Sequence, residues 1–345
     1  MQNFELFIRT QSGLLLAFAL TAALIVWAGI RLSVYGDALG DRTGIGNGLI
    51  GLIFLAAVTS LPELVVSLTS VLKNSNLNQG ADLAIGNMLG SNVFNLLILA
   101  LVTLFFPKKF NSQTLDNPHT STTIYGVILL TIFSISFAFA NKSLPLVPFL
   151  QCSIPILFIP ILYGILIQKE HQHTSLETQP NEAEEILTHQ PAAIFYSKLS
   201  FFCGLIIFGG IGLSILGSRM ALPPEQGGFG LEASLIGTLF LAISTSLPEL
   251  VISFSSVRLG FLDMAIGNVL GSNMFNLLIV FVTDIAMRNT NLLTHASSKH
   301  WNSVGLIFGL TLLTSCLLRS RNNKQMRLIA TAMIAIYLAT FVFLK

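Results

Sequence analysis

Charged residues are scarce in this sequence, and their scarcity excludes most soluble proteins. Asp, Glu, Lys and Arg together make up 10% of the 345 residues, whereas soluble domains carry about 25%. Hydrophobic residues make up 53% of the chain. This composition predicts an integral membrane protein embedded in a lipid bilayer.

Clusters of positive charge and spaced cysteines are also lacking. The formal net charge is only +2, and the Lys and Arg residues are scattered along the chain, so we expect no nucleic-acid partner. The three cysteines stand singly, without the spacing of a metal or redox site, and we expect no cofactor. The amino terminus has as many acidic as basic residues before the first apolar run, unlike a secretory signal. The first apolar segment is therefore interpreted as a retained membrane helix.

Long apolar segments divide the chain into about ten predicted membrane spans. A spanning helix needs about 20 mostly apolar residues, because the hydrocarbon core of a bilayer is about 30 Å thick. The predicted spans are 13–34, 48–72, 81–105, 121–140, 144–168, 199–220, 231–257, 263–287, 302–318 and 326–344. The predicted fold class is an all-α integral membrane protein.

A polar segment at 169–198 separates five predicted spans from five. We interpret 1–168 and 199–345 as two transmembrane halves, and the segment between them as a loop whose three histidines are surface residues. Since five is an odd number, the second half enters the membrane in the opposite sense to the first. The two halves are therefore predicted to be inverted five-helix repeats.

The distribution of basic residues predicts an orientation. Eleven of the 18 Lys and Arg residues fall in the loops that follow odd-numbered spans or at the span ends beside them, and cytoplasmic loops carry the excess of such residues. We expect both termini outside, the 169–198 loop in the cytoplasm, and a location in the plasma (inner) membrane. The sequence leaves the oligomeric state open, a monomer included.

A proline followed by a glutamate interrupts the apolar sequence at the same point of both halves. FLAAVTSLPELVVS at 54–67 and FLAISTSLPELVIS at 240–253 share 11 of 14 residues. Pro62 and Pro248 lack a backbone N–H, so each helix is expected to kink or break there and to leave carbonyl oxygens without a partner. In lipid, such backbone is tolerated only where it lines a cavity or meets a ligand.

The glutamates of the two copies, Glu63 and Glu249, are the only acids that fall deep within predicted spans. An ionised carboxylate at the bilayer centre costs at least about 2.5 kcal/mol and normally marks an ion or proton pathway. Asp82, Asp263 and Asp284 lie nearer to span ends and are expected at the water interface. Carboxylates, hydroxyls and freed carbonyls form an all-oxygen set that suits calcium or sodium better than soft metals.

A second pair of matching blocks adds amides and hydroxyls. AIGNMLGSNVFNLLI at 84–98 and AIGNVLGSNMFNLLI at 265–279 agree at 13 of 15 positions. In each block an Asn, a Ser and an Asn recur every four residues and form a stripe on one helical face: Asn87, Ser91 and Asn95, and Asn268, Ser272 and Asn276. The glycines of each block predict close approach of a neighbouring helix. Asn92 and Asn273 point off the stripe, and we leave them open between ion ligands and partners in hydrogen bonds between helices.

TSLPEL twice and GNxxGSNxxN twice, in opposed halves of a ten-span chain, resemble the alpha-repeats of the sodium/calcium exchanger family within the calcium/cation antiporter superfamily. The close resemblance covers alpha-repeats at about 48–105 and about 231–287. It implies ten transmembrane helices, outside termini and ion sites formed by the second, third, seventh and eighth helices. Its implied calcium-ligating carboxylates, which also contact sodium, are Glu63 and Glu249. The remaining implied metal ligands are Ser60, Ser91, Ser246, Ser272, Ala56, Thr59, Ala242 and Thr245, with Asn95 and Asn276 at the position where many relatives carry Asn in the first repeat and Asp in the second.

Asn276 is a departure from that pattern. The potassium-dependent branch of the family is associated with aspartate at this position, so the sequence resembles potassium-independent members. Two carboxylates balance one calcium ion or two sodium ions, but not three. The proton/calcium antiporters carry an acid within their Gly-Asn block, which is absent here, so proton coupling is the second choice.

The function predicted from these features is exchange of calcium for sodium by alternating access. A proton-coupled antiporter, or one for another divalent cation, remains the alternative. Two intramembrane carboxylates are also compatible with the acid/base pair of a hydrolytic enzyme, although duplicated Ser and Asn shells exceed what one activated water needs. A passive channel is a further alternative.

Overall fold

The chain forms a bundle of helices. The computed structural model describes residues 10–73, 76–112, 118–140, 154–173, 187, 189–229, 244–287 and 290–343, and contains no strand within these ranges. The helices are α1 (Gln11–Thr43), α2 (Asn47–Lys73), α3 (Leu77–Phe105), α4 (Pro107–Ser112), α5 (Pro118–Phe139), α6 (Phe158–His173), α7 (Ala192–Ala221), α8 (Leu247–Leu259), α9 (Leu262–Ala286), α10 (Leu292–His295), α11 (His300–Arg319) and α12 (Asn323–Phe343).

Each of the ten predicted spans overlaps one helix longer than ten residues. Among the described residues, seven helices are long and apolar enough to cross a membrane: α1, α2, α3, α5, α7, α9 and α11. The all-α class and the membrane character are confirmed, whereas the count of ten spanning helices stays a prediction. The short helices α4 and α10 were not predicted, because segments of six and four residues carry no periodic pattern.

Two helices extend well beyond their predicted spans. α1 continues to Thr43, nine residues past the predicted end, and stops where Gly44 adopts φ 70°. This extension carries Asp37, a buried acid that the sequence analysis missed. α7 begins at Ala192 and α6 ends at His173, so both edges of the predicted 169–198 loop are helical. Apolar length predicts the membrane crossing, but a helix ends only where its backbone is capped.

α2 is not a uniform α-helix. Its first residues, Asn47–Leu49, are α-helical, Ile50–Leu55 form a π-helix, and Ala56–Lys73 are α-helical with Pro62 inside. A π-helical turn accommodates an extra residue, and here it precedes the proline instead of coinciding with it. The helix continues through Pro62, so the first copy is not broken at its proline.

The second copy breaks where the sequence predicts. Ser246 has φ −98° and ψ 17°, and α8 begins at the next residue, so Pro248 lies in the first helical turn. In that turn the missing N–H of proline has no helical partner to lose. Residues 230–243 lie outside the described part of the chain, and with them the predicted site residue Ala242 and the beginning of the predicted span 231–257.

Two apolar clusters surround the centre of the bundle. α3 and α9, the two helices with the Asn stripes, bury most of their length, and one cluster joins them to α5, α6, α11 and α12. The other cluster joins α1 and α7 to the beginnings of α2 and α8. The proline-glutamate motifs therefore lie where a pair of long outer helices meets the central helices.

Glycines bring α9 against the beginning of α2. A Cβ at Gly267 would lie 2.3 Å from the carbonyl oxygen of Gly48, and one at Gly271 would lie 2.1 Å from that of Leu52. The predicted close approach is confirmed for this block. For the first block it stays a prediction, because the segment equivalent to the beginning of α2 falls within 230–243.

α3 and α9 begin at opposite ends of α2. α3 begins at Leu77, just after α2 ends at Lys73. A Cβ on Gly48, in the first turn of α2, would lie 3.8 Å from the Cβ of Asp263, the second residue of α9. At about 1.5 Å per residue, α2 is about 40 Å long. The two central helices therefore run in opposite directions.

Candidate ion-binding site

The glutamates of the two motif copies meet in the middle of the bundle. Glu63 on α2 and Glu249 on α8 are 0% and 1% exposed. Ser60 Oγ donates to Glu249 Oε1 at 3.2 Å, and Ser246 Oγ donates to Glu63 Oε1 at 3.3 Å. Each carboxylate thus accepts a hydrogen bond from the serine of the other copy, and the two copies form one site.

Both carboxylates carry an oxygen that the protein does not satisfy. The Oε2 atoms of Glu63 and Glu249 are buried and have no hydrogen-bond partner among the described residues. Neither carboxylate pairs with a Lys or Arg there. Burying a charge without a partner is strongly unfavourable. The two oxygens, with the hydroxyls around them, form a donor set of the kind that hard cations bind.

The remaining hydroxyls surround the carboxylates unequally. Ser91 Oγ on α3 donates to Glu63 Oε1 at 3.3 Å. The equivalent Ser272 on α9 lies 3.3 Å from Thr59 Oγ1 instead, and Thr59 also donates to the carbonyl of Ala56 at 3.3 Å. Predicted ligands from α2, α3 and α9 are therefore in contact, but the two halves use them differently.

Two asparagines of the stripes are buried and carry polar atoms without a partner among the described residues. Asn95 is 0% exposed, and neither atom of its amide has a partner among the described residues. Asn276 donates to Asn92 Oδ1 at 2.9 Å, while its own Oδ1 has no partner there. Asn273 donates to the backbone oxygen of Asn92 at 3.2 Å. Asn92 and Asn273 thus take part in hydrogen bonds that link α3 to α9, one of the two roles considered for them.

The first asparagine of each stripe braces the neighbouring motif. Asn87 Nδ2 donates to Ser67 Oγ at 3.0 Å and to the backbone oxygen of Glu63 at 3.2 Å. Asn268 Nδ2 makes the same two bonds in its own half, to Ser253 Oγ at 3.1 Å and to the glutamate carbonyl at 3.4 Å. The sequence pattern predicts these asparagines on the stripe but does not predict this role. The recurrence of the two serines at the same offset was the signal.

Two further residues of the predicted site are buried, and one lies outside the described part of the chain. Ala56 and Thr245, 0% and 1% exposed, are buried beside the hydroxyl-bearing residues of their motifs, while Ala242 lies outside the described residues. One acid expected at the water interface is not there: Asp284 is buried and accepts a hydrogen bond from the backbone N–H of Leu292 at 2.6 Å. The short helix α10 covers it, and no sequence pattern predicted that helix.

α7 crosses both motif copies at a glycine that the sequence analysis missed. A Cβ on Gly210 would lie 2.4 Å from Cγ of Pro62 and 3.5 Å from Cγ of Pro248. In the same way, a Cβ on Gly209 would lie 2.9 Å from Ile25 of α1. The two adjacent glycines of a long apolar helix were the available signal, because they allow α7 to touch the prolines and α1 together.

The chain is similar in sequence to several known proteins. The family model described as "Sodium/calcium exchanger protein" matches residues 13–166 and 201–345. The "Inner membrane protein YrbG" of Escherichia coli (strain K12) is 29% identical over 260 residues, covering 74% of each chain. The "Sodium/calcium exchanger MaX1" of Methanosarcina acetivorans is 25% identical over 274 residues, which is 71% of this chain and 74% of the relative.

A solved structure has the same fold. The sodium-calcium exchanger NCX_Mj superimposes with a TM-score of 0.68 at 18% sequence identity, over 95% of this chain and 99% of that one. Nearly the whole chain is thus accounted for by one fold, and the family match covers both halves. The chain belongs to the sodium/calcium exchanger protein family.

Proposed function

We propose that this protein is a secondary antiporter that exchanges calcium for sodium by alternating access, without a requirement for potassium. Calcium or sodium binds between Glu63 and Glu249. The other ligands are Ser60, Ser91, Ser246, Ser272, Thr59, Thr245, Asn95, Asn276 and the backbone oxygens of Ala56 and Ala242. No resident cofactor takes part.

The observation that carries this proposal is the pair of buried carboxylates, each with one oxygen that lacks a partner. The crossed hydrogen bonds from Ser60 and Ser246 occupy the other oxygen of each carboxylate and hold the pair in place. A cation between Glu63 and Glu249 satisfies both free oxygens and neutralises the charge. Because calcium and sodium need the same oxygens, they exclude one another, and this exclusion produces exchange instead of leak.

Charge balance supports a potassium-independent cycle. The two glutamates offer two negative charges, which balance one calcium ion or two sodium ions. Asn276 adds no negative charge and donates a hydrogen bond to Asn92. It stands at the position where the resemblance associates aspartate with potassium dependence.

The packing of α1 and α7 supports the alternating-access step. These two long helices share an apolar cluster separate from the main one, and α7 touches the prolines of both motifs at Gly210. We infer that α1 and α7 slide across the central helices once the carboxylates are neutralised. Sliding over the motifs then exposes the site to one side of the membrane or to the other.

The proposed topology has ten spans in two inverted halves, 1–168 and 199–345. The opposite directions of α3 and α9 support the inversion. The bias of basic residues supports outside termini, a cytoplasmic 169–198 loop and a location in the plasma (inner) membrane.

The decisive experiment is flux into proteoliposomes that contain the purified protein. An outward sodium gradient is expected to drive uptake of radioactive calcium, and uptake should be unchanged when potassium is replaced by choline. Calcium uptake that is independent of sodium but depends on a proton gradient would contradict this proposal and favour the proton-coupled alternative. Steps of single-channel current in planar bilayers would instead indicate a passive channel. Absence of any calcium flux would contradict the proposal and leave the hydrolytic enzyme as the alternative for the carboxylate pair.

A further inference from the structure

The two long outer helices, α1 and α7, carry matching segments that the proposed ion site does not use. GIRLSVYG at 29–36 and GIGLSILG at 210–217 share five of eight residues, at the same offset of 181 residues as the Asn-stripe blocks. In each segment the serine donates to the carbonyl oxygen of the glycine four residues earlier, Ser33 to Gly29 at 3.0 Å and Ser214 to Gly210 at 2.9 Å. Gly29 and Gly210 are therefore equivalent positions of the two halves.

Each of these glycines lies against a motif helix of the other half. A Cβ on Gly29 would lie 2.7 Å from Cγ1 of Val251 on α8 and 3.5 Å from its Cβ. A Cβ on Gly210 would lie 3.1 Å from the Cβ of Pro62 on α2 and would overlap its Cγ. A larger residue would push the helices apart, so each glycine marks the point where an outer helix crosses a motif helix.

The two crossing points differ by three residues of the motif. The motif copies at 54–67 and 240–253 are 186 residues apart, so Val251 is equivalent to Val65. α1 thus crosses its motif helix three residues beyond the proline, whereas α7 crosses its own at Pro62. Three residues make nearly one helical turn, or about 4.5 Å along the axis. The halves are equivalent in sequence but not in the register of their outer helices.

The exposure of the motif helices shows the same asymmetry. Val251 and Ile252 are 7% and 0% exposed, whereas Val65 is 37% exposed. Ser33 Oγ lies 3.5 Å from the carbonyl oxygen of Ile252, but Ser214 Oγ has no bond to α2 among the described residues. The turn that follows the proline is therefore covered by α1 in the second copy and is left uncovered by α7 in the first.

We propose that Gly29 and Gly210 are positioning residues of the transport cycle, the crossing points at which α1 and α7 pack against the motif helices in two registers one turn apart. The structure has one register. In the other, the halves exchange their contacts, so that Gly210 lies against Val65 and Gly29 lies against Pro248. This inference rests on the proposed function.

A single movement produces both new contacts. Along α2 the exchange leads from Pro62 to Val65, and along α8 it leads from Val251 to Pro248. α2 begins at the end of the bundle where α8 ends, because α9, which follows α8, begins beside the first turn of α2. Both steps therefore lead away from that end. α1 and α7 shift together past the glutamates, and the apolar cluster that they share stays intact.

The test is disulfide cross-linking at the crossing points, in a background whose three native cysteines are replaced by alanine. Because the Cβ atoms of a disulfide are about 3.5–4.5 Å apart, Gly29→Cys with Val251→Cys should cross-link when copper phenanthroline oxidises the thiols in membranes. Gly210→Cys with Val65→Cys should cross-link as well, in the exchanged register. Gly204→Cys with Val65→Cys is the matched control, because Gly204 lies on α7 with nothing within 4 Å among the described residues, and it should not cross-link.

The two registers should exclude one another. In the variant with all four of these cysteines, the intact mass after alkylation should show one disulfide and two free thiols. Each disulfide should abolish sodium-driven calcium uptake, and dithiothreitol should restore it. Two disulfides in one molecule, or a Gly210–Val65 pair that cross-links no faster than the control, would overturn the proposal. If the wild type shows no sodium-driven uptake, the proposed function fails by itself, and the cross-links still decide whether two registers exist.

A second measurement leaves both glycines unchanged, in case their substitution prevents folding. Spin labels on Leu72→Cys of α2 and Phe208→Cys of α7, at side chains that are 64% and 76% exposed, report the position of α7 by double electron–electron resonance. Two distances that differ by up to about 4.5 Å are expected. Labels on Leu20→Cys of α1 and Phe208→Cys should give one distance, because α1 and α7 move together. A single Leu72–Phe208 distance in sodium and in calcium would overturn the proposal.

Discussion

The two TSLPEL copies have the same six residues but different backbones. In the first copy the helix passes through Pro62 after a π-helical segment. In the second copy it is interrupted at Ser246, and Pro248 lies in the first turn of α8. Local sequence therefore does not decide how the chain accommodates the proline.

What the two copies share is their set of contacts across the bundle. Each glutamate accepts from the serine of the other copy, and each glutamate carbonyl accepts from an asparagine of the adjacent stripe. These tertiary hydrogen bonds therefore place the carboxylates, and the backbone around each proline adapts to them. Substitutions made in parallel in both copies test this conclusion.

The largest expected effect is loss of transport in Glu63→Gln and Glu249→Gln. Glutamine keeps an oxygen that accepts from the serines but removes the charge. Loss of one charged partner at a buried site costs about 3–5 kcal/mol, more than 100-fold in calcium affinity. Calcium binding and sodium-driven uptake measure the effect, with Glu225→Gln, at an exposed acid, as the control. Wild-type transport in either variant would show that the two copies do not form one site.

A smaller effect is expected from Gly210→Ala, because the added methyl group would overlap Pro62 but not Pro248. Overpacking of about 1–3 kcal/mol should slow uptake about tenfold while calcium binding changes little. Gly204→Ala, on the same helix with nothing within 4 Å among the described residues, is the control. Adding Pro62→Ala should restore the rate, whereas adding Pro248→Ala should not. If Pro62→Ala and Pro248→Ala restored the uptake rate of Gly210→Ala equally, residue 210 would not contact Pro62 more closely than Pro248.

The asparagine braces should differ in strength. Asn268 is 0% exposed and also lies 3.5 Å from Thr59 Oγ1, whereas Asn87 is only partly buried. Replacing either by alanine leaves a carbonyl and a serine hydroxyl without their donor, at about 1–3 kcal/mol. We expect Asn268→Ala to lower the thermal unfolding temperature more than Asn87→Ala, as measured in detergent. The reverse order would mean that burial does not govern these bonds.

The smallest effect concerns the prolines themselves. Proline inside a helix is unfavourable by about 3 kcal/mol, but in the first turn it is tolerated. Pro62→Ala restores a helical N–H and loses the contact of Cγ with α7, so we expect a net gain of about 1 kcal/mol in unfolding free energy. Pro248→Ala should change it by less. Thermal unfolding of the two variants measures the effect. Equal changes in unfolding free energy would contradict the difference in backbone between the two prolines.

Much of the candidate site could be predicted because its polar residues stand out against an apolar chain. Repetition identified Glu63, Glu249 and their serines, and the helical spacing placed Ser91 and Ser272 on the stripes of their neighbouring asparagines. The pairing of Ser60 with Glu249 could not be predicted, since it depends on how α2 meets α8 in space. Gly29 and Gly210 do not stand out for a related reason, since glycine is frequent in membrane helices and only their contacts with the motif helices distinguish them.

By itself the sequence determined the helical membrane class, the two related halves and the residues with ligand chemistry. These follow from composition and repetition, because a carboxylate amid apolar residues is too costly to be incidental. Only the tertiary structure decided where α1 and α7 end, which backbone breaks at its proline, and which partner each hydroxyl and amide selects. Those outcomes depend on close contacts between helices distant in the chain, such as Gly210 against both prolines and Gly267 against α2, and no local pattern encodes such contacts.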